Sequence, residues 1–192
     1  METWMIIAIG AGVVAAILLI GALLMIPARR KRAKQTTKLR EGFGPEYTRT
    51  VGEQGRSGAE DDLLKRQERS GLFPVRALTA IEMTHYTDAW TVTQAQFVDD
   101  PGAALSAAGR LVGEVIAARG YPAAEFEQGA NALSVDHPRA VQDYRAAHEV
   151  MLRHQRNPVS TDDLRAAMAQ YHTVFTEVAH GGGVAARAVR VA

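Results

Sequence analysis

The sequence predicts an all-α protein in which a single N-terminal transmembrane helix precedes a soluble bundle of about four main amphipathic helices. Three observations support this fold class. Residues 4–26 form an uncharged, mostly apolar run of 23 residues. Beyond it, apolar side chains recur at spacings of three and four residues, which is typical of helices with one buried face. From Gly42 onward the sequence lacks the sustained alternation that a half-buried strand requires.

The uncharged run is long enough to cross a bilayer. At 1.5 Å per residue it spans the roughly 30 Å of hydrocarbon. The alternative is a cleaved signal peptide, which needs a positive start, a shorter apolar stretch and a small-residue cleavage site. Here Glu2 lies in the start and the basic sequence Arg29–Arg32 follows the run. We therefore interpret residues 1–27 as a transmembrane anchor.

A basic cluster follows the anchor and predicts the orientation of the chain. Seven Lys/Arg and no acid lie between residues 29 and 40, and no Lys or Arg precedes the run. Positive charge is retained on the cytoplasmic side, so we expect the N-terminus outside the cell membrane and the C-terminal domain in the cytoplasm. The cluster can also contact anionic lipid headgroups, besides acting as a topology signal. The headgroup candidates are Arg29, Arg30, Lys31, Arg32 and Lys34.

Two further features concern partners. Small residues four apart in the anchor, Ala8, Gly12 and Ala16, permit close pairing of two helices, so a homodimer is one interpretation. Residues 41–192 carry 15 Lys/Arg and 20 acids, a net charge of −5. A mildly acidic domain lacks the basic surface of a dedicated nucleic-acid binder, so we expect no nucleic acid as partner.

The soluble region divides at its glycines and prolines. Residues 28–58 are predicted to form a basic juxtamembrane segment and a hinge, because three glycines lie between residues 51 and 58. Residues 59–179 are predicted to form the helical bundle domain, and residues 180–192 a flexible tail. Short connections at residues 99–100 and 157–158 favour antiparallel neighbours.

Caps and helix breakers predict the individual helices. Ser57 and Glu60 match a capping box at the start of a short helix over residues 59–69. A long helix is predicted over residues 75–98. Three more run from Pro101 to the break at Gly120, from His137 to Asn157, and from Ser160 to the glycines at 181–183. Residues 123–134 are ambiguous.

Motifs for known chemistry are missing. The chain has no cysteine, which excludes disulfides, thiolate metal sites and a cysteine nucleophile. Its six histidines lack metalloprotease spacing, and neither a P-loop nor a nucleophile elbow occurs. We therefore predict no cofactor. Asp99, Asp100, Asp136 and His137 could surround a cation, although two of them are better explained as helix caps.

A few polar residues lie at positions that a helical bundle would bury. His148 falls on the apolar stripe of its helix, where it is either a hydrogen-bonded core residue or a ligand-binding or pH-sensitive group. Glu82 shares an arc with Leu78 and Tyr86, so a partner such as Arg119 or Arg145 would be needed. If a site exists inside the bundle, its candidates are Glu82, Tyr86, Asp136, His137 and His148.

Four short motifs carry a resemblance. They are FGPEY at residues 43–47, FVDDP at 97–101, RGYP at 119–122 and SVDHP at 134–138. In this order they resemble an uncharacterised family of small bacterial helical proteins, often membrane-anchored, with similarity over about residues 39–178. The resemblance implies the helical architecture and supplies no activity and no site residues.

Two classes of function remain. Because an anchor, a hinge and an acidic bundle are visible while catalytic motifs are not, we favour a membrane-tethered interaction or scaffold module that binds a protein partner at the membrane. The alternative is a small-ligand sensor or an enzyme whose polar site forms inside the bundle. A concave pocket gathering the polar candidates would favour the second class, and an exposed apolar patch the first.

Overall fold

The computed structural model describes residues 32–181, which are helices and connections without a β-strand. The predicted anchor, the headgroup candidates Arg29, Arg30 and Lys31, and the tail from residue 182 lie outside the described residues. Within residues 32–181, no helix combines the length and the apolar character needed to cross a membrane. Residues 32–41 belong to a separate unit, where Arg32 and Lys34 are exposed on a helix. Gly42 begins the unit that holds the elements below.

Helix α1, Pro45–Ser70, is folded back on itself at Gly55, whose φ of 72° and ψ of 166° are not helical. The Tyr47 hydroxyl donates to the Glu60 carboxylate at 3.1 Å. A straight helix would hold residues 13 apart about 20 Å from each other, so the two halves of α1 must lie side by side. Gly55 falls within the predicted hinge. The short helix predicted over residues 59–69 lies in the second half of α1, which continues from the break at Gly55 to Ser70. Residues 45–54, predicted as part of the juxtamembrane segment and hinge, form its first half.

Five further helices complete the unit, and α3 is central among them. They are α2 Ala80–Gln96, α3 Pro101–Ala118, α4 Phe126–Asp136, α5 Ala140–Arg156 and α6 Thr161–Ala179. Helix α3 packs against α2, α4, α5 and α6, whereas α1 packs on α4 and α5. The His137 ring, just before α5, lies 3.0 Å from Glu177 near the end of α6. The α5–α6 pair is therefore antiparallel, as predicted.

The apolar stripes account for the core. Leu105, Val112 and Ile116 of α3 are fully buried, as is Val178 of α6. Burial of each such side chain contributes about 1.5–3 kcal/mol, which outweighs local helix propensity. Leu152 of α5 is an exception among the leucines of these helices, because it is 40% exposed.

The predicted ends of α3 are confirmed. The Asp100 carboxylate accepts from the backbone N–H of Ala103 at 2.9 Å, and Pro101 occupies the first turn. At the other end Gly120 has a φ of 91°, and Tyr121 N–H donates to the carbonyl of Ile116 at 3.2 Å. This is a glycine C-cap of the Schellman type. A Cβ at Gly120 would lie 2.5 Å from the Pro74 carbonyl oxygen, so glycine is also required sterically.

Helix α2 starts five residues later than predicted. Thr79 forms a capping box with Glu82, in which each side chain binds the other residue's backbone N–H. Residues 74–79 are not helical, and the backbone N–H of Arg76 donates to the carbonyl of Arg119 at 2.9 Å. This bond ties the segment to the end of α3, which explains the later start.

We expect Thr79→Ala to lower the free energy of unfolding by about 1 kcal/mol, because the first turn of α2 loses its side-chain cap. Thr84→Ala is the matched control. The Thr84 hydroxyl binds only the Ala80 carbonyl, within the helix, at 3.0 Å. Urea denaturation measures both variants, and equal losses would show that the box does not stabilise α2.

Candidate functional site

The polar candidates predicted from the sequence do not share one pocket. Glu82 lies on the surface and receives two hydrogen bonds from Arg76, at 2.8 and 2.6 Å. These bonds, followed by those from Thr79, lower the pKa of Glu82 to about 2. The expectation that Glu82 is buried against Arg119 or Arg145 is therefore wrong. Leu78 and Tyr86, which share its helix face, suggested that Glu82 is a core residue. The Glu82 carboxylate instead bends back and caps the start of α2.

Tyr86 lies one turn further along α2 and is half-buried. Its ring contacts the ring of His85 edge-on, with a centroid separation of 5.2 Å. Partial burial, together with the nearby charge of Glu114, raises the pKa of Tyr86. The phenol therefore stays protonated at neutral pH.

Asp136 and His137 lie together at a second place. Asp136 accepts from the Tyr121 hydroxyl at 3.0 Å, and the buried His137 ring contacts Glu177. Asp100 caps the N-terminal end of α3, whereas Tyr121, which bonds Asp136, follows its C-terminal end. The two ends of this 18-residue helix are about 27 Å apart. The three acids and the histidine considered for a cation are thus separated. Among residues 32–181, no group of three potential ligands is placed to hold a metal ion.

His148 lies at a third place, where it lines a concave cavity. The cavity has a volume of about 280 Å³ and lies between α3, α5, α6 and the start of α4. The His148 ring stacks on Phe126 with a centroid separation of 3.6 Å and an interplanar angle of 8°. Tyr144 packs against the same phenylalanine at 4.6 Å. His148 is half-buried, so it is a wall of the cavity and not a residue of the closed core.

Tyr171 lines this cavity and carries a buried hydroxyl. The side chain is 0% exposed, and its hydroxyl has no hydrogen-bond partner within the part of the chain that the structure describes. Gly109 of α3 lies opposite, and a Cβ there would come within 3.0 Å of the hydroxyl oxygen. The absence of a side chain at Gly109 therefore gives the hydroxyl its space.

The inner groups of the cavity are uncharged at neutral pH. Burial raises the pKa of Tyr144 to about 12 and that of Tyr171 well above its ordinary value. Burial also lowers the pKa of His148, and the nearby Glu127 opposes this only in part. The cavity thus presents neutral phenols and a neutral imidazole. Arg110, which is exposed, supplies positive charge at its rim.

Sequence reasoning missed a buried ion cluster formed by Glu46, Arg49, Arg66 and Arg145. Glu46 is 1% exposed and accepts from Arg49 at 2.7 Å and from Arg66 at 2.9 Å. Arg145 of α5 lies 3.5 Å from the same carboxylate. The reversal at Gly55 brings Arg66 to Glu46, 20 residues away. The glycines of residues 51–58 were the available signal, but no pattern indicates which charges meet.

The burial of Arg119 was also missed, since this residue was considered only as a partner for Glu82. It is 0% exposed, and none of its three guanidinium nitrogens has a hydrogen-bond partner among the described residues. Its Nη1 lies 2.9 Å from the position that a Cβ on Gly181 would take. Burial lowers the pKa of Arg119. Such a buried cation is costly, and its position at a predicted helix end gave no sign of burial.

The outer face of α2 exposes two large apolar side chains. Ile81 and Val92 are 82% and 69% exposed. Together with His85 and Asp88, which are also exposed, they lie within about 60° of arc because each residue advances about 100°. We call these four residues the α2 outer stripe. Trp90 and Thr93, which α2 buries, point the other way.

No protein-family model, curated protein or solved structure matches this chain. The resemblance carried by its four short motifs stays a prediction. Its function is therefore inferred from the geometry of the described residues.

Proposed function

We propose that the chain is a membrane-tethered interaction module, anchored by residues 1–27, whose cytoplasmic domain binds a protein partner at the membrane through the α2 outer stripe. The exposure of Ile81 and Val92 carries the proposal. Two large apolar side chains 11 residues apart on one helix face, which the bundle leaves uncovered, form the contact pattern of a helix that pairs with another helix.

The charge around α2 favours a basic partner helix. Residues 77–109 contain no Lys or Arg, and besides Glu82, which pairs with Arg76, they hold the acids Asp88, Asp99 and Asp100. Asp88 lies between the two apolar anchors of the stripe. A partner helix with apolar residues on one side could contact Ile81 and Val92. Lys/Arg residues flanking that side would complement the negative charge around α2.

The anchor raises the effective concentration of a weak binder. The two apolar side chains of the stripe bury only a small area, so the affinity of the free domain for its partner is modest. Attachment of both proteins to one membrane raises the effective concentration to the order of millimolar. Modest affinity is then sufficient for assembly.

A photo-crosslinking amino acid at Thr84, beside the stripe, tests the proposal in native membranes. We expect it to capture one partner through a basic helical peptide, identified by mass spectrometry. Ile81→Asp combined with Val92→Asp should reduce the yield at least tenfold, because two charges would face the partner's apolar side. A chain without residues 1–26 should also lose yield.

Leu72→Asp is the matched control, since Leu72 is 79% exposed and lies outside α2. It should leave the yield unchanged. Three results would contradict the proposal: capture of a second copy of this chain, capture through an acidic segment, or equal loss of yield with Leu72→Asp.

A further inference from the structure

The cavity beside His148 has the features of a ligand site, independent of the α2 outer stripe. We propose that it binds a small planar aromatic carboxylate, with the ring against Phe126 and Tyr144 and the carboxylate between the Tyr171 hydroxyl and Arg110. The cavity of about 280 Å³ is smaller than the roughly 300–1,000 Å³ typical of drug-sized ligands. Its size suits one ring with a single carboxylate.

Gly109 gives the first argument. It lies in the interior of α3, where glycine destabilises a helix by about 1 kcal/mol relative to alanine. A Cβ at this position would lie 3.0 Å from the Tyr171 hydroxyl oxygen and 3.4 Å from the Met151 sulfur. Glycine at this position therefore leaves room for the Tyr171 hydroxyl beside the cavity.

Tyr171 gives the second argument. A hydroxyl that is wholly buried without a partner costs about 1–3 kcal/mol of desolvation. Tyr171 lines the cavity, and its hydroxyl remains protonated, because burial disfavours the phenolate and raises the pKa of Tyr171. It is a fixed donor that an anionic oxygen would satisfy.

The walls and the rim define the ligand class. Phe126, Tyr144 and His148 supply ring faces and edges, which favour a flat aromatic guest. Arg110 forms no ion pair with any residue in the described range 32–181. Glu127, a carboxylate near His148, is already paired with Arg145 at 2.5 Å. The free charge at the rim is therefore positive, which selects an anion.

Titration calorimetry on the full-length chain in lipid nanodiscs, with empty nanodiscs subtracted, tests the class of ligand. The probes are benzoate, benzyl alcohol and cyclohexanecarboxylate. We expect benzoate to bind with a Kd of about 1 mM or tighter, as a ligand of about nine heavy atoms allows. Benzyl alcohol lacks the charge and cyclohexanecarboxylate lacks the planar ring, so each should bind at least tenfold more weakly.

Three variants locate the site. Tyr171→Phe should weaken benzoate at least tenfold while leaving the melting temperature unchanged or higher, because the hydroxyl has no partner to lose within the described part of the chain. Arg110→Gln should weaken benzoate and not benzyl alcohol. Gly109→Leu should abolish binding by filling the cavity. Gly113→Ala is the matched control in the same helix, since a Cβ there meets nothing within 4 Å.

The proposal is overturned if benzoate does not bind the wild-type chain at about 10 mM. It is also overturned if Tyr171→Phe and Arg110→Gln bind benzoate as the wild type does, since binding would then lie elsewhere. These two variants decide the matter even if Gly109→Leu does not fold. The benzoate test does not depend on the α2 outer stripe, so a failed crosslinking experiment would not change its outcome.

Discussion

Replacing Glu46 with alanine is expected to lower the free energy of unfolding by about 3–5 kcal/mol, because removal of one partner leaves buried charges unpaired. Arg66 is 7% exposed and would keep only Asp62 as its ion-pair partner among the described residues. Arg145 would keep Glu127, whose side chain is 63% exposed. Helix α1 would lose the carboxylate that links its two halves to α5.

The effect of Glu46 should depend on pH. Burial raises the pKa of this carboxyl, but the hydrogen bond from Arg49 and the charge of Arg145 outweigh burial, and the net pKa lies below its ordinary value. A carboxyl with a lowered folded pKa stabilises the fold fully above its unfolded pKa of about 4.3. The stabilisation is lost as the pH falls from that value through the folded pKa. The difference between wild type and variant should therefore shrink below about pH 4.

Urea denaturation of the full-length protein in mild detergent, followed by circular dichroism, measures this loss. Glu53→Ala is the matched control. Glu53 pairs with Arg49 on the same helix, but half of its side chain is exposed, so its removal should cost less than about 1 kcal/mol. Equal losses for the two variants would show that the buried ion cluster does not hold α1 in place.

Replacing Arg119 with methionine is expected to raise the free energy of unfolding by about 1–3 kcal/mol. A guanidinium that has no hydrogen-bond partner among residues 32–181 loses its hydration and gains nothing from them in return. Methionine is unbranched and flexible, so it can follow the path of the arginine stem and fill the same space.

Arg139→Met is the control for Arg119→Met. Arg139 is exposed just before α5, so its replacement should change the stability by less than about 0.5 kcal/mol. The same urea titration compares the two. If Arg119→Met lowers the stability by more than about 1 kcal/mol, Arg119 has a counter-ion that satisfies it, and its buried guanidinium does not destabilise the fold.

The sequence predicted the helices whose ends are marked by local chemistry. Asp100 and Ser160 cap their helices as expected, since each side chain bonds a backbone N–H three residues away. Gly120 ends α3 because only glycine fits its backbone angles and its contact with Pro74. The start of α2 was misplaced because a competing interaction, the bond from Arg76 to the end of α3, holds residues 74–79 out of the helix.

The candidate sites were less predictable, because they depend on approaches between distant segments. The Tyr171 hydroxyl meets Gly109 across 62 residues of sequence, and the sequence alone does not state that these two positions face each other. The helical period placed His148 on a partly buried face but could not distinguish a cavity wall from a core position. Glu82 was predicted to be buried because it shares a helix face with apolar residues. The position on a helix gives only the direction in which a side chain leaves the helix, and the flexible Glu82 side chain bends back to cap α2.

The reversal of α1 at Gly55 has a mechanical consequence. A tether pulling on the chain before Pro45 would load the first half of α1 at the open end of the hairpin. The contacts between the two halves would then be stressed one after another and not all at once. The Glu46–Arg66 bond lies at that open end, so it would bear the load first. Resistance to force would thus be concentrated at Glu46 and its arginine partners. Removal of the Glu46 charge would therefore lower the force needed to unfold α1 more than the force needed to unfold the other helices.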